Sequence, residues 1–89
     1  MTENALDFGK VEILRKRMGL NTEDFSKALG VSRMTYYHWV RGKNMRSSQS
    51  HTVSRKIKLL LDAYSNGLWD EIKDVPRADR RERLLAMVA

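Results

Sequence analysis

The sequence predicts a small all-α domain that occupies residues 1–89 as one unit. Three observations predict this fold class. Apolar residues recur every three or four positions in several segments, and no segment alternates apolar with polar residues as a half-buried strand does. The 89 residues are 42% hydrophobic, which suits a single compact core. The chain has no cysteine, which excludes a disulfide framework and a zinc finger.

The first predicted helix spans residues 8–18. Val11, Leu14 and Met18 are spaced three and four positions apart and form its apolar stripe. Gly19 follows directly and is suited to the left-handed conformation that ends many helices.

A second, short helix begins after Asn21 and ends at Gly30. Asn21 is a favourable N-cap, and Asp24 lies three residues later, in the capping-box position. The apolar side of this helix consists of Phe25, Ala28 and Leu29.

A third helix is predicted over residues 32–41, with Ser32 as its N-cap and Gly42 after its end. Tyr36 and Trp39 lie on its inward face, together with Thr35 and Val40. Long polar and basic side chains remain on the opposite face, so this helix is amphipathic.

The second half of the chain starts with a polar, serine-rich segment, residues 42–51, which we predict to be a loop. The C-terminal helices occupy residues 52–89. The first of them starts near Thr52, and its stripe is Val53, Ile57, Leu60, Leu61 and Tyr64. A short helical turn follows around Trp69. The last helix begins near Pro76, and its apolar residues are Leu84, Leu85 and Val88.

Basic and acidic residues are segregated along the chain. From Phe25 to Leu61 there are eight basic residues and no Asp or Glu, whereas the rest of the chain has nine basic and eleven acidic residues. Scattered surface charge would mix the two signs. The segregation favours a polyanionic partner such as DNA.

The two short helices joined by Leu29-Gly30-Val31-Ser32 have the features of a helix-turn-helix. Gly30 allows the tight turn, Val31 is an apolar residue that can pin the turn to the core, and Ser32 caps the second helix. The stretch from Leu14 to Lys43 resembles the helix-turn-helix of phage Cro and C1 repressors and their bacterial relatives, the xenobiotic-response-element-like regulators.

This resemblance implies a five-helix, lambda-repressor-like domain whose family-like core is residues 8–43 and whose third helix enters the major groove of double-stranded DNA. It also implies that base contacts come from the exposed side of that helix: Arg33, Met34, Tyr37 and His38. Arg33 is suited to guanine and Met34 to a thymine methyl group. His38 is equally consistent with a base contact and with an ordinary surface histidine.

Phosphate contacts are expected from the residues that follow the recognition helix and from Thr22: Thr22, Arg41, Lys43, Arg46, Ser47 and Ser48. Thr22 stands where the family usually has a Gln that holds the DNA backbone. Further along, Arg55, Lys56 and Lys58 either add to these contacts or only line the exposed side of the fourth helix.

The chain departs from the family in two further respects. The family often pairs an Arg of the first helix with a Glu after the Trp, but that position here is Val40. Arg15 therefore pairs with Glu12 or points to solvent. The family's segment after Lys43 is replaced by a longer loop and divergent C-terminal helices.

We therefore expect a cytoplasmic, sequence-specific transcription regulator, a repressor of phage or bacterial type, that binds double-stranded DNA as a homodimer without a membrane contact or cofactor. The apolar stripe of the last helix supplies the expected dimer contact. The alternative is a protein-interaction module, antitoxin-like or an adaptor, that reuses the helix-turn-helix. An enzyme is not expected, because the sequence has no nucleophile–base pair and no phosphate-cradling Gly loop, and His38 and His51 lack metal-ligand spacing.

Overall fold

The computed structural model describes residues 7–43, 45–72 and 74–89, and these residues form helices and no strand. The elements are α1 (Phe8–Arg17), α2 (Thr22–Leu29), α3 (Arg33–Val40), α4 (Ser47–Ser65), a 3-10 turn (Trp69–Glu71) and α5 (Arg77–Met87). The predicted all-α fold class is confirmed. Among the described helices, none has the length and apolar content that a membrane span requires.

The third helix has the predicted bounds. Ser32 is the N-cap of α3, and its hydroxyl oxygen accepts a hydrogen bond from the backbone N–H of Thr35 at 3.1 Å. Arg41 is the residue that caps the other end. The predicted range of 32–41 therefore equals α3 with its two capping residues.

The predicted loop over residues 42–51 is wrong at its C-terminal end, because α4 begins at Ser47 and not near Thr52. Backbone N–H groups of Gln49 and Ser50 already donate to the carbonyl of Arg46, at 3.0 and 3.1 Å. Residues 47–51 contain no Gly or Pro that would stop a helix. Packing on the core at Val53 extends the helix backward through the serines. Asn44, within the predicted loop, lies outside the described residues.

The core joins the C-terminal part of the chain to α1. Trp69, in the 3-10 turn, is 2% exposed, and its indole N–H donates to the backbone carbonyl of Met18 at 2.9 Å. Met18 caps the C-terminus of α1, so Trp69 satisfies one of the carbonyls that a helix end leaves free. The short turn predicted around Trp69 therefore closes the domain against its first helix.

The apolar stripe of α5 is mostly core and not a free surface. Leu84 and Val88 are 0% and 2% exposed within the same chain, whereas Leu85 is 40% exposed. Two of the three residues that we expected to supply a dimer contact are therefore occupied by the domain itself. On α4, Leu61 is likewise 48% exposed, although the sequence pattern placed it in the stripe.

Asp24 joins α2 to α5 through a buried ion pair that the sequence did not predict. Its carboxylate is 2% exposed and accepts hydrogen bonds from Arg77 Nε at 3.2 Å and from Arg81 Nε at 3.0 Å. The capping box predicted at the start of α2 is therefore only half formed. The side chain of Asn21 accepts from the backbone N–H of Asp24 at 2.7 Å, while the Asp24 carboxylate is directed to the two arginines.

The two arginines keep Asp24 ionised despite its burial. Burial by itself would raise the pKa of Asp24, but the hydrogen bond from Arg77 and the positive charges of Arg81 and Arg77 outweigh it, so the pKa lies below its ordinary value. The attraction between the charges stabilises the folded state only while this carboxylate is ionised.

Candidate nucleic-acid interface

The turn between α2 and α3 has the local geometry of a helix-turn-helix. Gly30 caps α2 with a φ of +81°, in the left-handed region that favours glycine. The backbone N–H of Val31 then donates to the carbonyl of Ser26 at 3.0 Å, which closes the end of α2. Ser32 starts α3 immediately afterward. Three residues thus suffice to change the chain direction between the two helices.

The inward face of α3 is held by aromatic contacts. Tyr36 and Trp39 are 0% and 5% exposed. Both rings contact Phe8 of α1, with centroid distances of 6.2 and 5.4 Å, and Tyr36 also meets Phe25 of α2 edge-on at 5.5 Å. Because these contacts hold one side of α3, the opposite side faces outward.

A charged network on α1 also holds α3 in place, through the hydroxyl group of Tyr36. Tyr36 donates to Glu12 Oε1 at 2.7 Å, and Arg15 Nε donates to the same oxygen at 2.7 Å. Arg15 also donates to the carbonyl of Leu20 at 2.8 Å, just before α2. Of the two alternatives for Arg15, pairing with Glu12 is therefore correct. The Tyr36 link was missed, since only its spacing as a core residue was visible in the sequence.

The contacts within this network shift the pKa values of Glu12, Arg15 and Tyr36. The hydrogen bond from Arg15 lowers the pKa of Glu12, against the opposing effect of burial. The same pairing raises the pKa of Arg15. Burial, followed by the hydrogen bond to Glu12, raises the pKa of Tyr36 well above its ordinary value. The network therefore stays charged at neutral pH and ties α1, the start of α2 and α3 together.

The residues expected to contact bases lie on the outward side of α3. Arg33 is exposed, Met34 is 64% exposed and Tyr37 is 42% exposed, whereas His38 is half-buried. Three of the four side chains are thus free to enter a groove, and His38 is more restricted. Their contact with bases stays a prediction.

Tyr37 also connects α3 with the start of α2. Its hydroxyl donates to Thr22 Oγ1 at 3.4 Å, so the structure brings together two residues that the sequence assigned to different roles. Thr22 is half-buried in the first turn of α2. The tip of Tyr37 is therefore directed toward the position expected for a phosphate, while its ring remains on the outward side of α3.

The residues expected to contact phosphates continue this surface past the end of α3. Arg41, Lys43, Arg46 and Ser48 are exposed. Ser47 begins α4, and its side chain lies outside what the structure describes. In the described part of the chain, no acid forms an ion pair with Arg33 or with the cations that follow α3. Their charges are free to meet an external anion.

A metal site requires several ligating side chains close together. The described residues contain no group of three or more His, Cys, Asp or Glu side chains placed to hold a metal ion. What the surface offers is hydrogen-bond donors and positive charge, with the exposed thioether of Met34 among them.

Comparison with known proteins agrees with the local geometry. Residues 11–48 match the family model described as helix-turn-helix. The matched segment contains most of α1, all of α2 and α3, and the first two residues of α4. Neither the curated proteins nor the solved structures contain a match to this chain. The matched segment ends at Ser48, five residues beyond Lys43.

Proposed function

We propose that this chain, which carries a helix-turn-helix of the Cro/C1 type at residues 11–48, is a sequence-specific regulator of transcription that binds double-stranded DNA. In the proposed complex α3 lies in the major groove. The protein acts in the cytoplasm of a bacterium or on phage DNA there, represses by occupying its site, and has no enzymatic activity of its own.

One observation carries this proposal. The outward face of α3 and the described cations after it are exposed, no acid stands among them in the sequence, and these cations have no acidic partner in the described residues. The dense phosphates of a duplex are suited to such a surface, since each neutralised phosphate releases condensed counterions.

The proposed roles follow from the chemistry and position of each side chain. Arg33, at the first turn of α3, donates to O6 and N7 of a guanine, and the neighbouring Met34 contacts a thymine methyl group. His38 reaches a base acceptor or a phosphate. Tyr37 adds its exposed ring edge at the groove. The phosphate contacts come from Thr22, Arg41, Lys43, Arg46, Ser47 and Ser48.

Selection of bound sequences from a random duplex pool, followed by salt titration, tests the proposal. We expect one preferred site and a slope of log affinity against log salt that corresponds to about four to eight phosphate contacts per subunit, at about −0.9 each. R33A should relax the preference at one base position and cost about 1–3 kcal/mol there. R46A should weaken binding to all sequences alike. A flat salt dependence, or uniform losses in both variants, contradicts the proposed division of roles.

We further infer that the DNA-bound unit is a homodimer, because one domain of this size contacts too little DNA to be highly specific. Because Leu84 and Val88 lie in the core, we assign the dimer contact to the exposed leucines of the C-terminal half: Leu61, Leu68 and Leu85. Sedimentation of the wild type beside L85E and L61E tests this. A monomeric wild type together with a selected site that lacks two-fold symmetry contradicts it.

The same exposed leucines are the observation that favours the second candidate function, an antitoxin-like or adaptor module. The two functions differ in their dependence on DNA. If the selection yields no enriched sequence and salt does not alter duplex binding, the interaction module becomes the better explanation of this fold.

A further inference from the structure

α4 carries basic and polar side chains that the proposed function leaves largely unused. Five exposed residues share one side of its first three turns, and we call them the α4 strip: Ser48, His51, Thr52, Arg55 and Lys58. Their spacing of three or four residues places them on one face. Hydroxyl, imidazole, guanidinium and ammonium groups all donate hydrogen bonds to phosphate oxygens.

The strip is free of acids and of ion pairs. Neither Arg55 nor Lys58 pairs with an acid in the part of the chain that the structure describes. The next acid on this side is Asp62, one turn beyond Lys58. A face that is merely solvated mixes both signs, as the exposed side of α5 does with Asp79, Glu82 and Arg83. The α4 strip lacks that mixture.

The helix that carries the strip lies close to the helix-turn-helix. α4 starts at Ser47, shortly after the end of α3 at Val40. Further along α4, the ammonium of Lys56 lies 3.3 Å from the position that a Cβ on Gly30 would take, in the turn that precedes α3. At Lys56, α4 therefore passes near this turn, and α4 packs on α2, the first helix of the helix-turn-helix. The strip lies on this part of α4, next to the helices that the proposed function places on DNA.

We propose that the α4 strip binds the phosphates of the DNA that flanks the site read by α3. From Ser48 to Lys58 the strip is about 15 Å long, at about 1.5 Å per residue. One strand of B-DNA presents a phosphate about every 3.4 Å along the axis, so the strip matches about four of them. The inference rests on the proposed function, because it requires that the chain bind duplex DNA.

The test uses two double variants of the full chain that lose the same charges in different places. R55Q/K58Q removes the cations of the strip, and K10Q/R17Q removes an exposed lysine and arginine of α1. Glutamine is a good helix former with a long polar side chain, so the helices should be retained. Circular dichroism checks that they are. Fluorescence anisotropy then gives affinity against salt for a long duplex that contains the selected site.

For R55Q/K58Q we expect a log–log salt slope shallower by about 1.8, which corresponds to two lost phosphate contacts, with the preferred base sequence unchanged. K10Q/R17Q should keep the wild-type slope. The single variants R55Q and K58Q, each with a change of about 0.9, give the same answer if the double variant folds poorly.

Shortening the duplex to the selected site provides an independent measurement. The wild type should lose affinity when the flanks are removed, while R55Q/K58Q should respond little, because it has already lost those contacts. An unchanged salt slope in R55Q/K58Q overturns the proposed phosphate contact of the α4 strip. A change of slope in K10Q/R17Q as large as that in R55Q/K58Q overturns it too. Failure of the wild type to bind any duplex is a different result, since it overturns the proposed function as well.

Discussion

Two arginines of α5 and the two arginines at the ends of α3 have opposite surroundings. Arg77 and Arg81 reach from α5 to α2, where they hold the buried carboxylate of Asp24. Arg33, at the start of α3, and Arg41, at its end, have no acidic partner in the described residues. The same type of side chain joins two helices where a buried acid faces it. Where no acid faces it, its charge is available to an external anion.

This difference changes how the net charge of +6 is interpreted. Two of the basic residues of α5 are structural, and their charge is shared with a buried acid. The positive charge available to DNA is therefore that of residues 33–58 and not that of the whole chain. Substitutions in α5 should therefore change the stability of the fold, whereas substitutions in residues 33–58 should change the affinity for DNA.

The largest effect should come from the core side of the recognition helix. W39A removes an aromatic ring that is 5% exposed and packs on Phe8. Truncation of a buried aromatic costs about 3–5 kcal/mol, which is a large share of the stability of a small domain. We expect loss of the cooperative thermal transition monitored by circular dichroism. A folded W39A protein with a normal transition but without DNA binding would instead place Trp39 in the interface.

Replacing each set of arginines separately tests this difference most directly. R77A/R81A leaves the buried Asp24 carboxylate without its partners, so the free energy of unfolding should fall. Both arginines are partly exposed to solvent, so the loss should be smaller than for W39A. Below its melting temperature this variant should keep the wild-type salt slope for DNA.

The matched variant R41Q/R46Q should do the opposite. Both side chains are exposed and lack an acidic partner in the described residues, so urea unfolding should change by less than about 0.5 kcal/mol. Its DNA affinity should fall and its salt slope should become shallower. If R41Q/R46Q destabilises the fold as much as R77A/R81A does, the proposed difference between the two regions is wrong.

The smallest of these effects is on stability in acid. The folded-state pKa values of Asp24 and Glu12 are lowered, so the unfolded chain takes up protons first as the pH falls. Their contribution is complete above the unfolded pKa of about 4 and is lost as the pH falls through the folded values. The loss should be smaller than in R77A/R81A, because a protonated carboxyl still accepts hydrogen bonds.

Urea unfolding over a series of pH values, with D24N as the control, measures this contribution. D24N has no titrating group at that position, so its stability should decline less between about pH 5 and about pH 2 than that of the wild type. At neutral pH the variant should be the less stable of the two. Parallel pH profiles for both proteins would show that Asp24 does not contribute.

The sequence by itself determined the helix-turn-helix. Ser32 caps α3, Gly30 ends α2 in the left-handed region, and Tyr36 and Trp39 lie on the inward face, all as predicted. These features depend on interactions within about four residues along the chain, so residue type and spacing are enough to identify them. The outward position of Arg33 follows from the same periodicity.

Only the tertiary structure decided the roles of residues whose partners are distant in the sequence. Asp24 was expected to cap its own helix, but its carboxylate pairs with Arg77 and Arg81, more than fifty residues away. Val88 has the same apolar character whether it faces a partner subunit or its own core, and the fold buries it. An apolar stripe or a charged side chain specifies what kind of surface it needs. Which surface it meets depends on how the helices pack, and that is a property of the whole chain.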